Sequence, residues 1–471
     1  MTNRLGRRAF LCSGTAAAVA AAAGRDSAAS AAAVAPGHYL EPARQIPLAE
    51  EADVIVCGAG PAGVCAAIAA ARAGAKTRLF DVNGCLGGIW TAGLLSWIID
   101  SGNKRGLMRE ILVRVNALMP TRKYGSSVAC DVEKLKLLLE QMCQEAGVKV
   151  SLHTRSAAAV CDDSQRLKMV ITESKSGRQA WAAKAFVDAT GDGDLAAHAG
   201  CAFDYGREGH GETQPMSLLA WLTGIQLDEV AKFVNHYLPG QSGKKNLWDE
   251  MQRAGITPSY AGPSLFYMHD QLYCLMSNHE YGVSAVDAGQ ISEATIRARA
   301  ELHRQVEALR ALGEPWKNLQ IIATSEHIGV REGRRIHGLY KVGVQDLLDG
   351  IRHEDAVCRA TFGFDVHSPN PNETKGIRPT GGKAKPYDIP YRALIAKDVK
   401  GLLVAGRCIS GDFLAHSSYR VTGNAAAMGE AAGVGAALAA ASGQLPQEVP
   451  WAQIRQALEA VQPPAEAKSP A

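Results

Sequence analysis

Residues 52–81 read "ADVIVCGAGPAGVCAAIAAARAGAKTRLFD". Val54 to Val56 is a short apolar run that predicts a buried strand, and the chain then turns through Gly58, Gly60 and Gly63. An Ala-rich helix follows as far as Gly74, and a second strand, Thr77 to Phe80, ends on Asp81, eighteen residues after Gly63. Each position has a physical reason. Gly58 makes the tight turn, Gly60 lets the backbone approach a pyrophosphate, and Gly63 permits close helix–strand packing. Pro61 and Ala62 open the helix, whose positive end faces the phosphates. Asp81 is placed to hydrogen-bond a ribose hydroxyl. A lone GxGxxG says little; strand, turn, helix, strand and acid in this order predict a dinucleotide-binding βαβ unit.

That unit does not separate NAD from FAD, but two distant segments do. "AKAFVDATGDGDLAAHAG" (183–200) is an apolar strand ending in a second close turn, with Gly191 and Asp192, about 130 residues after the first. "KGLLVAGRCISGD" (400–412) is another, ending in Ala405-Gly406-Arg407. A long Ala/Gly-rich helix then opens near Thr422, Gly423 and Asn424. Three Gly-bearing strand ends and a late small-residue helix suit FAD, which stretches across a whole domain; NAD usually needs only one βαβ unit.

Between the first two segments lies "DVNGCLGGIWTAG" (81–93). Its small residues make a poor core segment, so a bound group is expected close to this backbone. Cys85 could be a redox thiol, a covalent tether or a small apolar filler.

The pieces "GAGPAG", "CLGGIWTAGLLSWIID", "VDATGDGDLA", "TQPMSLL", "GVREGRRIHGLYKV", "YDIPYRALI" and "GLLVAGRCISGDFLAHSSYRV", with the final helix, span residues 53 to about 442. They resemble the FAD-dependent oxidoreductases of the glutathione reductase superfamily, and more narrowly the group related to the flavin subunit of heterodisulfide reductases. The iron–sulfur motifs of that subunit are absent, so its electron-transfer role does not carry over.

The resemblance implies an α/β fold: a Rossmann-like FAD-binding domain of glutathione reductase type with an inserted α+β substrate or cap domain. The flavin domain would be 51–204 plus 385–445, and the insert 205–384. Residues 446–471 would hold a terminal helix, with apolar residues at helical spacing over 451–461, and a tail. Gly58, Gly60, Pro61, Ala62, Gly63, Asp81, Cys85, Gly87, Gly88, Thr91, Gly191, Asp192, Gly406, Arg407, Gly423 and Asn424 become the expected cofactor contacts. The helix from Thr422 would direct about half a positive charge at the flavin pyrimidine edge.

In the disulfide reductases of the superfamily, paired cysteines follow the glycine pair. Here Cys85 precedes Gly87-Gly88 and the next cysteine is Cys130, so that chemistry is not expected. A thioether to the flavin 8α-methyl and a plain buried thiol both remain open.

A flavin that oxidises a C–H bond wants a base nearby and a cation to hold the substrate. "LAHSSYR" (414–420) lies between the last cofactor strand and the long helix. It offers His416 for proton transfer and Arg420 for a carboxylate or hydroxyl. His367, on a Pro/Asn-rich loop, is a further catalytic candidate. Arg331, Arg334 and Arg335 with Glu332 form either an internal ion-pair network or an anion site. Met216, beside Gln214 and Pro215, either lines a cavity or is core.

The implied activity is hydride transfer between a small organic substrate and flavin N5, with a polyol, sugar or hydroxy acid favoured. No second GxGxxG follows, so a quinone, cytochrome or oxygen is the expected external acceptor. A fumarate-reductase-like reductase and a non-catalytic flavin carrier are the rival readings.

The N-terminus, "MTNRLGRRAFLCSGTAAAVAAAAG", has a twin arginine, Arg7-Arg8, before an Ala-rich apolar run. Residues 1–33 resemble a twin-arginine export signal and 34–50 a linker, which implies a periplasmic or otherwise exported protein. The formal charge of +3 is accounted for by Arg4, Arg7, Arg8 and Arg25 against Asp26, leaving no basic stripe for nucleic acid. Eleven scattered cysteines, without a CxxC pair or Cys/His cluster, argue against a metal site or disulfide framework. No segment beyond the leader has the apolar length of a transmembrane span, and the oligomeric state is not legible.

Overall fold

The structure is a computed structural model that describes residues 37, 39–119, 121–372, 377 and 381–461. The expected export signal and the last ten residues lie outside the described residues, as does part of the 368–386 loop. The chain divides into two units, Met1–Gln45 and Ile46–Ala471, and the described strands and helices fall in the second.

The opening stretch folds as its pattern dictates. Ala52–Cys57 is a strand and Pro61–Arg72 a helix with proline in its first turn; Thr77–Phe80 is the second strand. Val54, Ile55 and Val56 are wholly buried, as a parallel strand covered on both faces should be. The main sheet runs Lys149–Ser151, Thr77–Phe80, Ala52–Cys57, Gly177–Asp188, Leu167–Ser174, Arg155–Cys161, with Leu402–Val404 also beside Gly177–Asp188.

Gly177–Asp188 serves two neighbourhoods. Its first half pairs antiparallel with Leu167–Ser174, from Gly177 opposite Ser174 to Ala182 opposite Met169. Its second half pairs parallel with Ala52–Cys57, Ala185 opposite Val54, and with Leu402–Val404, Val187 opposite Leu403. The chain is a mixed α/β Rossmann-like fold with a parallel sheet at its centre.

Two helices cover one face. Thr422–Ser442 packs on Pro61–Arg72 so closely that a Cβ on Gly429 would overlap the Ala62 carbonyl, and one on Gly433 the Ala66 carbonyl. The late Ala/Gly composition is thus a packing requirement. This helix is long and apolar enough to cross a membrane, but nearly all of it is buried in the protein core.

The second core is drawn from Met216 to Val330. It lies around a four-stranded antiparallel sheet in the order Ser264–His269, Leu272–Met276, Ala220–Thr223, Gln320–Thr324, backed by helix Ala288–Ala311. Ile336, Val342, Leu347 and Ala360, within the expected insert 205–384, pack into the main core. A third cluster, including Leu94, Trp97, Leu219 and Phe266, joins the loop after the glycine pair to the smaller sheet. The terminal helix Trp451–Ala460 docks through buried Ile454 and through Trp451, whose ring lies 5.7 Å from that of Tyr391.

Candidate active site

The parallel strands end on one edge, where the glycine turns collect. The ladder continues past each strand: Gly58 N–H donates to Phe80 O at 2.8 Å, Ala189 N–H to Cys57 O at 2.8 Å, and Ala405 N–H to Asp188 O at 2.9 Å. Ligands of open α/β sheets bind at this carboxyl edge. Gly58 has φ +90°, a left-handed conformation that a side chain would strain. A Cβ on Gly63 would overlap the Gly58 carbonyl, whereas one on Gly60 would meet nothing within 4 Å. The space beside Gly60 is where a bound group can reach backbone.

Asp81 is buried at that edge. Its carboxylate accepts from the Ala59 N–H, and from the Asn83 N–H at 2.7 Å and side-chain amide at 2.9 Å. Burial raises its pKa, against the pull of those donors. The glycine pair abuts the same loop: Gly87 N–H donates to Ala59 O at 2.8 Å, and a Cβ on Gly88 would lie 2.9 Å from Gly60 Cα. Thr91 closes this turn, its hydroxyl donating to Leu86 O at 2.5 Å. Cys85 is half-buried, its thiol 3.6 Å from the Thr91 hydroxyl; burial raises its pKa, so it is not a preformed thiolate.

Gly191 and Gly406 flank an ion pair between Asp192 and Arg407 at 2.6 Å, which joins two of the Gly-bearing strand ends. Arg407 also donates to Val330 O at 2.8 Å. At the long helix, Thr422 Oγ1 accepts from Ile99 N–H at 3.2 Å and Gly423 N–H donates to Ile99 O at 2.9 Å. Asn424 is wholly buried, and neither atom of its amide has a hydrogen-bond partner. Unpaired buried amides are costly. An open cradle at Gly60 and an unsatisfied amide at Asn424 both fit a long polar cofactor lying along this edge.

Sequence reading missed the carboxylates that hold these parts. Asp188 accepts from Thr190 N–H and hydroxyl and from Ala196 N–H, which fixes the second glycine turn. Burial pushes it up to about 6. Glu430 accepts from Leu107 N–H at 3.1 Å at the start of helix Gly106–Leu118, and burial pushes it up to about 7. Only the sequence position of Asp188, at the end of an apolar strand, could have signalled either.

Next to this edge opens a cavity of about 730 Å³. Its apolar lining includes Ile89, Leu95, Trp97, Leu219, Phe266 and Met276. Its charged and titratable lining includes Arg331, Arg420, His367, Asp365, Lys123 and Lys244. Asp365 is its one carboxylate among the described residues. Arg420 Nη2 donates to the Asp365 carbonyl at 2.9 Å and carboxylate at 3.3 Å, and its Nε has no partner. Arg331 donates to Pro215 O at 2.6 Å and Ser217 Oγ at 2.9 Å; burial, with Arg420 nearby, lowers its pKa to about 10. Burial alone would raise Asp365. His367, Arg420 and Arg331 more than offset that and hold it well below the usual carboxylate range. Burial and Arg331 push His367 down to about 4, so it is neutral near pH 7.

The three expected catalytic residues therefore separate. Arg420 and His367 line the cavity. His416 is not among the lining residues: it is wholly buried, its ring packed edge-on against Tyr419 at 5.3 Å. Burial first, then Arg335, Arg420 and Arg407, drive its pKa well down. The place of its segment between the last cofactor strand and the long helix put it near the chemistry; on Phe413–Tyr419 its imidazole is buried with both nitrogens unpaired, while Arg420 at the helix end lines the cavity.

The arginine group also divides. Arg335 is wholly buried and pairs with Glu332 at 2.5 Å; Arg334 pairs with Asp194 at 2.9 Å. These two form an internal network, and Arg331 alone of the three lines the cavity. Met216 is core, its neighbour Ser217 lines the cavity, and the Gln214 side-chain Oε1 accepts from His367 N–H at 3.1 Å. No group of acidic, His and Cys side chains among the described residues could hold a metal ion, and the ten described cysteines are free thiols.

The sequence profile of the family described as FAD dependent oxidoreductase matches residues 53–458. No curated protein matches the chain. Among solved structures, a geranylgeranyl bacteriochlorophyll reductase-like protein from Thermoplasma acidophilum is similar at 14% identity and TM-score 0.44, over 87% of this chain and 82% of that one. A flavin-dependent brominase is similar at 12% identity and TM-score 0.48, over 86% and 83%. A p-nitrophenol 4-monooxygenase from Pseudomonas putida is similar at 11% identity and TM-score 0.42, over 87% and 84%.

Proposed function

Because the chain belongs to the FAD-dependent oxidoreductase family, an enzyme that binds FAD and works on a small molecule, we propose that its substrate carries a carboxylate, with a hydroxy acid first. The observation that carries this reading is that Arg331 and Arg420 both line the cavity, with Asp365, paired to Arg420, as the carboxylate of the lining. Two partly desolvated guanidiniums select an anion, because charge-assisted hydrogen bonds gain strength where water is excluded. Asp365 answers one of the two charges, and a polyol or sugar would leave the other unanswered. The apolar wall from Ile89 to Met276 excludes water from the rest of the substrate.

Gly58, Gly60, Pro61, Ala62, Gly63 and Asp81 would hold the adenosine and pyrophosphate end of the cofactor. Cys85, Gly87, Gly88, Thr91, Gly191, Asp192, Gly406, Arg407, Gly423 and Asn424 would follow it toward the cavity. When bound, FAD supplies a centre that accepts or donates a hydride. The protein's own part is to orient the carboxylate on Arg420 and Arg331, exclude water, and exchange one proton at His367 and Asp365. His367 is neutral near pH 7, so it can accept a proton.

The finer placement follows the sequence: the glutathione reductase superfamily and the heterodisulfide reductase group, export through the twin-arginine pathway on the strength of Arg7-Arg8, and an external acceptor. A reductase of unsaturated acids is the second reading, since the same arginines would hold such a substrate. The test is an anaerobic panel of hydroxy acids, sugars and polyols, watched through the flavin absorbance. Bleaching by hydroxy acids supports the reading. Bleaching only by neutral polyols contradicts it, and reoxidation of reduced protein by unsaturated acids selects the second.

A further inference from the structure

Four side chains form a connected line from the cavity toward the outside. Asp365 Oδ2 lies 3.4 Å from His367 Nε2. His367 Nδ1 lies 3.1 Å from His279 Nε2, and His279 Nδ1 lies 3.1 Å from the Tyr281 hydroxyl. That hydroxyl also reaches Ser259 O at 3.3 Å, beside the exposed Ser259 side chain. Tyr260 covers the two rings, its centroid 4.2 Å from His279 and 5.6 Å from His367.

We propose that Asp365, His367, His279 and Tyr281 form a proton path joining the substrate cavity to solvent, with His279 as a relay residue that changes tautomer but not charge. The path rests on the reading of the cavity as a site of hydride chemistry, where each hydride moved leaves one proton to place.

Hydrogen-bond accounting gives the line two consistent arrangements. In the first, the Tyr281 hydroxyl donates to His279 Nδ1, His279 Nε2–H donates to His367 Nδ1, and His367 Nε2–H donates to ionised Asp365. In the second, Tyr281 donates to Ser259 O, His279 Nδ1–H donates to Tyr281, and His367 Nδ1–H donates to His279 Nε2. His367 Nε2 and Asp365 then face each other as two acceptors unless one proton lies between them. The second arrangement therefore holds one proton more than the first. Entry of a proton at Tyr281, with each hydrogen moving one bond inward, converts the first into the second with Asp365 loaded; no other atom or electron moves. The reverse sequence discharges Asp365.

The surroundings favour the first arrangement near neutral pH. Arg331 and Arg420 face Asp365 and His367, and Arg331, Tyr260 and Glu301 bear on Tyr281. Burial and Arg331 keep His279 neutral, as a relay that never holds net charge requires.

The test uses FAD-loaded protein with 15N-labelled histidines, titrated from about pH 7 to about pH 2.5, with His279→Gln and His367→Gln used only to assign signals. As the His367–Asp365 pair takes up its proton, the His279 N–H is expected to move from Nε2 to Nδ1 without a second proton. Tyr281→Phe touches neither Asp365 nor His367, yet is expected to lower the His367 midpoint by about 0.5–1 pH unit, the worth of one lost hydrogen bond. A His279 tautomer unchanged through the step, or a His367 midpoint unmoved by Tyr281→Phe, overturns the relay. None of these signals needs turnover, so a failed substrate panel would strike the acid reading and leave the relay standing.

Discussion

Arg420 holds Asp365 twice, by its backbone carbonyl at 2.9 Å and its carboxylate at 3.3 Å, and still keeps its Nε unpaired. Arg420 in the cavity lining is thus a cation braced by one carboxylate.

Arg420→Met should weaken binding of the most effective hydroxy acid by about 10- to 100-fold, the range for a lost hydrogen bond to a charged group. Perturbation of the oxidised flavin spectrum on titration would measure it. Arg420→Lys should recover only part, because a point charge cannot reproduce the guanidinium fork. Equal affinity in all three proteins would remove Arg420 from the site.

Two glycines three residues apart should behave differently. Gly60→Ala is expected to fold but retain less FAD, since its Cβ meets no protein atom within 4 Å. Gly63→Ala should fail to accumulate folded, because its Cβ would overlap the Gly58 carbonyl. Flavin content and circular dichroism of the purified proteins separate the two outcomes. Full flavin content in Gly60→Ala would mean the cofactor does not pass there.

Glu430 sets a pH dependence of stability. Its folded pKa, pushed up to about 7 by burial, lies above the unfolded carboxylate value of about 4.3, so the folded state disfavours its charge. Stability therefore falls as pH rises from about 4 through about 7, then levels. Between about pH 6 and pH 8 the loss should be about 1 kcal/mol. Glu430→Gln should lack this component, seen as a smaller change in denaturation midpoint between the two pH values. An identical change in both proteins would contradict the assignment.

Cys85 tests the cofactor's attachment. Its half-buried thiol faces Thr91, and acid precipitation of the yellow protein should release the flavin into the supernatant. Colour retained in the pellet, and lost from it in Cys85→Ser, would identify a thioether instead.

Much of the fold was legible because it is local. The strand, glycine turn, helix and acid of residues 52–81 act within one supersecondary unit, and the strands ending at Asp188 and Val404 repeat the same apolar-run signal. The long helix was legible too, although its small residues answer first to packing on Pro61–Arg72. The site was less so. Asp365 and His279 stand 86 residues apart in sequence and acquire meaning only where two loops meet beside Arg331. His416 lies on Phe413–Tyr419, buried with neither ring nitrogen paired, and its role is not legible from sequence position alone.

The most direct test compares matched compounds that differ only in charge, a 2-hydroxy acid and its carboxamide, as anaerobic reductants of the bound flavin. The acid should bleach the flavin at concentrations at least about tenfold lower, as expected for a charge-assisted contact worth about 1.4 kcal/mol or more. That preference should vanish in Arg331→Met combined with Arg420→Met. Equal bleaching by acid and amide in the unaltered protein would contradict a carboxylate-selective cavity.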